Sequence, residues 1–396
     1  MTWAPQRLDQ LGTVSRGRSR HRPRDAAHLY GGTHPFIQTG DVKHAGLYIT
    51  DYTQTYSDAG LAQSRLWPAG TLCITIAANI ADTAILGIDA CFPDSVIGFQ
   101  ADPLKADTRF IKYLFDATIK QRAKQFSQGA TQDNLSQEKL LSLEFSIPHV
   151  KEQKRIADIL SAYDDLIENN RRRMALLEES ARLLYQEWFI HLHFPGHEHA
   201  RITDGLPEGW QQKALGDLCE DIRESVSPGE LDPDTPYIGL EHMPRRSISL
   251  GEWGTADQVS SSKNQFRAGD ILFGKIRPYF HKVGVAFVDG VASSDAIVIK
   301  PKGNALHSLV LMTMSSDVFI AVTAKQMKEG SKMPRADWKQ MQQYKVLQPP
   351  SNLLDEFNNQ ISPIVEQLRT LTFANQKLRT ARDLLLPRLM SGEVTV

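Results

Sequence analysis

The sequence predicts an α+β protein in which two similar mixed α/β domains alternate with two long helices that pair as an antiparallel coiled coil. Two heptad runs and one internal repeat carry that prediction. In the first run, Ile156, Leu160, Tyr163, Ile167, Asn170, Met174, Leu177, Ala181, Leu184 and Trp188 are spaced alternately by four and three residues. That period holds one narrow apolar stripe of a helix against a partner. Glu152, Lys154, Arg155, Asp158, Asp164, Asp165, Glu168, Arg171, Arg172, Glu178, Glu179 and Arg182 fill the other faces. A helix so patterned is not stable alone.

The partner lies in the same chain. Adding 201 to Ile156 gives Phe357, and the same offset carries Leu160, Tyr163, Ile167, Asn170 and Met174 to Ile361, Ile364, Leu368, Leu371 and Asn375. The second run continues through Leu378, Arg382, Leu385 and Leu389, although Pro387 is expected to end or kink the helix near Leu386 and leave Leu389 outside the seam. Pro35 and Pro236, Gly129 and Gly330, and Pro148 and Pro349 keep the same spacing. Gly70 with Gly269, and Trp3 and Leu8 with Trp210 and Leu215, deviate from it by a few residues. A repeat of this size outranks local propensity as a sign of architecture. The expected divisions are a first domain over 1–148, a first helix over 149–194, a second domain over 195–349 and a second helix over 350–396. Pairing the ten positions of each run antiparallel, first against tenth, sets Asn170 opposite Asn375, where meeting amides would fix register. About 33 residues at 1.5 Å each would make the pair roughly 50 Å long.

A chain of 396 residues with 41% hydrophobic content suffices for more than one domain core. Cys73, Cys91 and Cys219 have no ligand spacing, so neither a disulfide framework nor structural zinc is expected. The N-terminus shows no basic-then-apolar leader pattern, and the run Leu72–Ile88 is broken by Asn79 and Asp82. A reducing cytoplasm without a membrane is the expected setting. His191, His193, His197 and His199 suggest a metal cluster. Pro195 and Gly196 interrupt helical spacing, however, and no acidic or cysteine residue completes a familiar set, so no metal is assigned.

The net charge of −1 argues against a wholly basic nucleic-acid binder but permits local patches. Arg16, Arg18, Arg20, Arg22 and Arg24 alternate, so on an extended segment all five would point to one side and suit a phosphate backbone. A basic surface loop without a partner has the same composition. Between strand-like runs at 71–76 and 84–88 and the first long helix, a helical pattern covers Phe110–Gln125, and the polar loop GATQDN follows. Within that loop, the amide of Gln132 or Asn134 could read an adenine edge, with Thr131 beside them, or the loop is only a turn. In the second half, Lys275, Arg277, Tyr279 and Lys282 interleave cations with aromatic rings, as a nucleic-acid surface or an ordinary strand and turn would. Ser331, Lys332 and Arg335 occupy the repeat position of the GATQDN loop.

Over nearly its full length the chain resembles the specificity subunits of type I restriction-modification systems. EQKRIADILSAYDDLIENNRRRMALLEESARLLYQEWF, HFPGH, LPEGW, GATQDNLS, FGKIRPYFHKV and GSKMPRADW carry the likeness. The resemblance implies two target-recognition domains, each reading half of a bipartite site on double-stranded DNA. It also implies helices of fixed length that dock two methyltransferase subunits, with motor-nuclease subunits as a conditional further partner. In such systems S-adenosylmethionine belongs to the methyltransferase, so no cofactor is expected here. Catalytic signatures agree: Gln348-Pro349-Pro350-Ser351 lacks both ends of an adenine-methyltransferase loop, and Gly274-Lys275 lacks a phosphate cradle. Ala77-Ala78-Asn79 stands where the second half has Ile276-Arg277-Pro278, so the two domains are expected to read different sequences. A self-contained modification enzyme and a coiled-coil adaptor without DNA are the other two classes.

Overall fold

A computed structural model of the chain describes residues 3–77, 81–126, 136–326 and 334–396. The long helices are α1 (Val150–Tyr185), extended by a π turn at Gln186–Ile190, and α2 (Ser351–Met390). The chain forms two compact units, one of Met1–Asn169 with Gln376–Val396 and the other of Asn170–Asn375. This division follows packing instead of chain order, because each helix contributes one end to each unit.

In the first unit, strands β1 (Gly12–Arg16), β2 (Tyr48–Ile49), β3 (Leu72–Thr75), β4 (Thr83–Leu86) and β5 (Val96–Ala101) form a sheet in the order β1-β5-β3-β4-β2. The β2–β4 pair is parallel, whereas the others are antiparallel, with Gly98 facing both Ser15 and Cys73. The side-chain period of two decides which layer each residue joins. Leu72, Ile74, Ile85, Ile97 and Phe99 pack with the helix Thr108–Phe126 and the start of α1. Cys73, Ala84, Leu86 and Val96 pack on the other face with Trp67, Ala90 and Phe92. Those last residues belong to, or follow directly, the strands of a second sheet ordered Gln54–Tyr56, Tyr30–Phe36, Ala90–Cys91, Leu66–Trp67. A central strand covered on both faces must be apolar throughout, which is why LCIT reads as a continuous run.

The second unit uses the same plan. Strands β6 (Cys219–Ile222), β7 (Ser249–Leu250), β8 (Ile271–Gly274), β9 (Val283–Ala286) and β10 (Ala296–Pro301) are ordered β6-β10-β8-β9-β7, again with one parallel pair, β7–β9. Ile271, Phe273, Val283, Val285, Ile297 and Ile299 pack with helical residues, and Leu272, Ala286, Ala296 and Val298 face a second sheet of five strands. The turns entering the central strands also match. Gly70 and Gly269 have φ of +85° and +98°, and each donates its N–H at 2.8 Å, to Leu86 and Ala286 respectively. The preceding Ala69 and Ala268 each donate at 2.8 Å to an aspartate, Asp89 and Asp289. A left-handed residue is needed at the corner of both turns, and glycine supplies it without a Cβ penalty.

The seam residues are all buried or half-buried. In the second unit the ring of Trp188 lies 5.5 Å from that of Phe357, and Asn170 Nδ2 donates to Asn375 Oδ1 at 2.9 Å, so contacts that rise along one helix fall along the other. In the first unit Arg382 pairs with Asp164, whose second oxygen accepts from the buried Tyr113 hydroxyl at 2.5 Å. Burial, followed by the neighbouring Asp164 carboxylate, raises the Tyr113 pKa well above its ordinary value. The expected break at Pro387 does not occur. The helix continues to Met390, and Leu389 is 1% exposed. Pro387 stands in the last turn, where its missing N–H costs a single bond and the burial of Leu389 and Met390 offsets it. Downstream, Ser391 still donates to the Pro387 carbonyl at 2.9 Å.

All three cysteines are buried and unpaired, and desolvation raises each thiol, Cys219 to about 12. No single helix among the described residues is long and apolar enough to cross a membrane.

Candidate nucleic-acid interface

In the first unit, Arg16, Arg18, Arg20, Arg22 and Arg24 are all exposed, but they do not line one extended segment. Only Arg16 lies in a strand, and the chain bends at His21–Pro23. Neighbouring residues impose the bend. Gly17 sits against the carbonyls of Phe92 and Pro93 with no room for a Cβ, the Gln63 side-chain oxygen accepts the N–H groups of Arg20 and His21 at 2.6 and 3.0 Å, and Ser64 donates to the Arg18 carbonyl at 2.8 Å. Two of the five, the first and the last, instead meet at Asp94. Arg16 donates twice to the Asp94 carbonyl, at 2.9 and 2.7 Å, and Arg24 pairs with the Asp94 carboxylate at 2.7 Å. The Arg22 guanidinium donates to the carbonyls of Ser19 and His21. Those of Arg18 and Arg20 make no ion pair or side-chain hydrogen bond among the described residues. Sequence reasoning missed Arg65, which donates to Ser15 at 3.0 Å and lies 3.8 Å over the Trp67 ring.

In the second unit the basic-aromatic stretch forms a tight, strained turn. Arg277 and His281 have φ of +50° and +55° and bracket a short helical turn at Pro278–Phe280. Non-glycine residues in that region cost roughly 1–3 kcal/mol each and persist only where the surroundings over-determine them. Here Arg277 N–H donates to the Pro334 carbonyl, Arg246 N–H donates to the His281 carbonyl, and His281 Nε2 lies 2.7 Å from the Ser315 carbonyl. Burial lowers the His281 pKa, and the Ser315 carbonyl, which can only accept, calls for a proton on Nε2. The turn presents Tyr279 at 52% exposure, edge-on to Phe280. The Phe280 ring lies beneath the guanidiniums of Arg277, at 5.8 Å, and of Arg245, at 4.0 Å. Arg245 is a second residue that the sequence did not single out, because 35 positions separate it from Phe280.

Lys275, Arg277 and Arg335 are brought together. A β-bridge joins Ile276 to Arg335, the Lys275 N–H donates to the Asp295 carbonyl at 2.7 Å, and Arg335 pairs with the Asp295 carboxylate at 3.2 Å. Burial draws the Lys275 pKa below its ordinary value against the pull of Asp295. Lys282 is not part of this group: its ammonium turns inward to the Leu240 carbonyl, and burial lowers its pKa. Asp94 and Asp295 are 201 residues apart, so each unit anchors its cations on the aspartate at the same repeat position. Thr131, Gln132, Asn134, Ser331 and Lys332 lie outside the described residues.

Exposed guanidiniums held in place by hydrogen bonds to the fold, beside a projecting aromatic ring, can neutralise phosphates and pack on sugar or base. The comparisons with known proteins point the same way. The family described as the type I restriction modification DNA specificity domain matches residues 1–179 and 207–381. The MjaIX type I restriction enzyme specificity subunit of Methanocaldococcus jannaschii is 24% identical over 100% of this chain and 94% of its own length. The EcoDI specificity subunit of Escherichia coli is 21% identical over 61% of this chain and 60% of its own. Among solved structures, the type I restriction-modification S subunit of M. genitalium superposes with a TM-score of 0.60 at 16% identity, covering 98% of this chain and 96% of that one, and so shares the fold. With two family matches spanning most of its length, the chain belongs to the type I restriction-modification DNA specificity family.

Proposed function

We propose that this chain is the DNA-specificity subunit of a type I restriction-modification complex, in which each recognition domain reads one half of a bipartite site. The observation that supports it most is the repetition of one sheet order in two units, each with an exposed arginine paired to the aspartate at the same repeat position. Two similar readers held at a fixed distance suit a split target, because spacing on the duplex mirrors spacing in the protein. In this reading the domains span 1–148 and 195–349, are related by a pseudo-twofold, and are separated by an antiparallel coiled coil of α1 and α2 that acts as a ruler. The chain does no chemistry itself: two methyltransferase subunits dock on the helices and methylate adenine with S-adenosylmethionine, and motor-nuclease subunits complete the restriction form. The exposed Leu176, Leu183 and Ile190, seven residues apart on the first helix and its π turn, form the apolar row that receives partner helices.

The test is to co-express the chain with a cognate methyltransferase subunit and map methylated adenines in host DNA. A bipartite motif with a fixed gap is expected, and exchanging residues 1–148 for those of another family member should change one half alone. A continuous motif would overturn the ruler reading.

Asn170 and Asn375 set the register of the helices in this scheme. Asn170→Leu alone leaves the 5%-exposed amide of Asn375 without its partner and should cost about 1–3 kcal/mol in urea unfolding. The double leucine variant should recover most of that loss. Strictly additive effects would show that the amides do not act as a pair.

A further inference from the structure

We infer that Glu187, His191 and His193 form a binding site for a first-row divalent transition-metal ion. On a straight helix Glu187 and His191, four residues apart, share a face, but His193 would lie well around the cylinder at about 100° per residue. Two local features bring it back. The π turn at Gln186–Ile190 closes with the His191 N–H on the Gln186 carbonyl at 2.9 Å, and Leu192 takes a left-handed φ of +60°. The His193 N–H then reaches the Glu187 carbonyl at 2.7 Å. In consequence the two imidazoles flank one carboxylate, with His191 Nδ1 2.9 Å from Oε1 and His193 Nδ1 2.8 Å from Oε2. All three ligand atoms lie within 4.8 Å of one another.

The donor set selects the ion. Two imidazole nitrogens and one carboxylate suit Zn²⁺, Co²⁺, Ni²⁺ or Cu²⁺, whereas Mg²⁺ and Ca²⁺ prefer all-oxygen cages. Three protein ligands leave a coordination position for water, as in open zinc sites. Binding requires each Nδ1 lone pair to face the ion. The Nδ1 proton of a neutral ring therefore moves to Nε2, and an imidazolium releases one proton to solvent. His193 and His197 rings lie 5.1 Å apart, but His197 turns its Nδ1 to the Phe194 carbonyl at 2.9 Å and is not among the three residues whose ligand atoms converge within 4.8 Å. The three cysteines are buried and do not compete for the ion.

The experiment uses the full chain without an affinity tag, stripped with chelator and titrated with ZnCl₂ in a calorimeter, with CoCl₂ absorption as a second reading. One ion per chain is expected, with no thiolate charge-transfer band and no response to MgCl₂. Glu187→Gln, His191→Ala and His193→Ala should each weaken binding by at least the roughly tenfold that losing even a supporting group costs a metal site. His199→Ala should bind as the parent does. Because all three ligands are exposed, the ligand variants should unfold at the parent temperature without metal, and a given Zn²⁺ concentration should raise that temperature in the parent and in His199→Ala more than in any of the three. Absence of saturable Zn²⁺ binding, or undiminished binding in the His191→Ala/His193→Ala double variant, would overturn the assignment. This site stands apart from the DNA reading, and neither result depends on the other.

Discussion

Replacing Arg382 by leucine is expected to destabilise the first unit by about 3–5 kcal/mol, the usual result of removing one partner from a buried ion pair. Arg382 occupies the eighth seam position of α2 and pairs with Asp164, whose side chain is 7% exposed. Its removal leaves that carboxylate with the Tyr113 hydroxyl as its remaining side-chain partner among the described residues. Asp164→Leu should cost less: Arg382 keeps Asp383 at 2.8 Å, and only the Tyr113 hydroxyl is orphaned. In the double leucine variant both charges are gone and the Tyr113 hydroxyl is the remaining orphan, so stability should recover to about that of Asp164→Leu. Hydrogen exchange localises the effect. Amides of β3 in the first unit should lose protection, while those of β8 in the second keep theirs. Equal loss in both units, or a double variant as weak as Arg382→Leu, would rule out this account.

Assembled with the other subunits of its restriction-modification complex, the triple variant Lys275→Ala/Arg277→Ala/Arg335→Ala should bind its DNA more weakly and with a shallower salt dependence. Each phosphate contact contributes a slope of about −0.9 in log K against log salt, so losing three should flatten the line by nearly 3. Arg245→Ala, which removes the cation 4.0 Å over Phe280, should loosen the turn that presents Tyr279 and relax the choice of base in one half-site. An unchanged slope would place this face away from the duplex. Lys282→Ala is the comparison: its ammonium is already committed to the Leu240 carbonyl, so its slope should match the parent.

What the sequence could show depended on whether the signal was periodic. Heptad spacing and the offset of 201 depend on residue type and position alone, and they anticipated the two long helices and the meeting of Asn170 with Asn375. The polar member Arg382 was legible as a seam position, but its partner was not, since Asp164 neighbours the seam residue Tyr163 and had the look of a solvated charge. The arginine row illustrates the opposite error. Alternation implies one face only if the backbone is extended, and Gly17, Gln63 and Ser64 bend it. Helical spacing keeps the histidines from meeting an acid, whereas the π turn and Leu192 change that spacing and bring His191 and His193 to Glu187. Arg245 and Arg65 became visible only once tertiary packing brought them to aromatic rings.

The discontinuous make-up of the first unit bears on vectorial synthesis. Residues 170–375 emerge from the ribosome as an uninterrupted stretch that contains every segment of the second unit, whereas the first unit includes residues 376–396, which are made after them. The nascent chain must therefore hold Ile156 and Leu160 without Leu389 and Met390, which share their core, until translation has passed the whole of the second unit. The usual order, in which the N-terminal domain matures first, is inverted. A stalled or C-terminally shortened product would expose apolar surface on the part of the protein that was translated earliest.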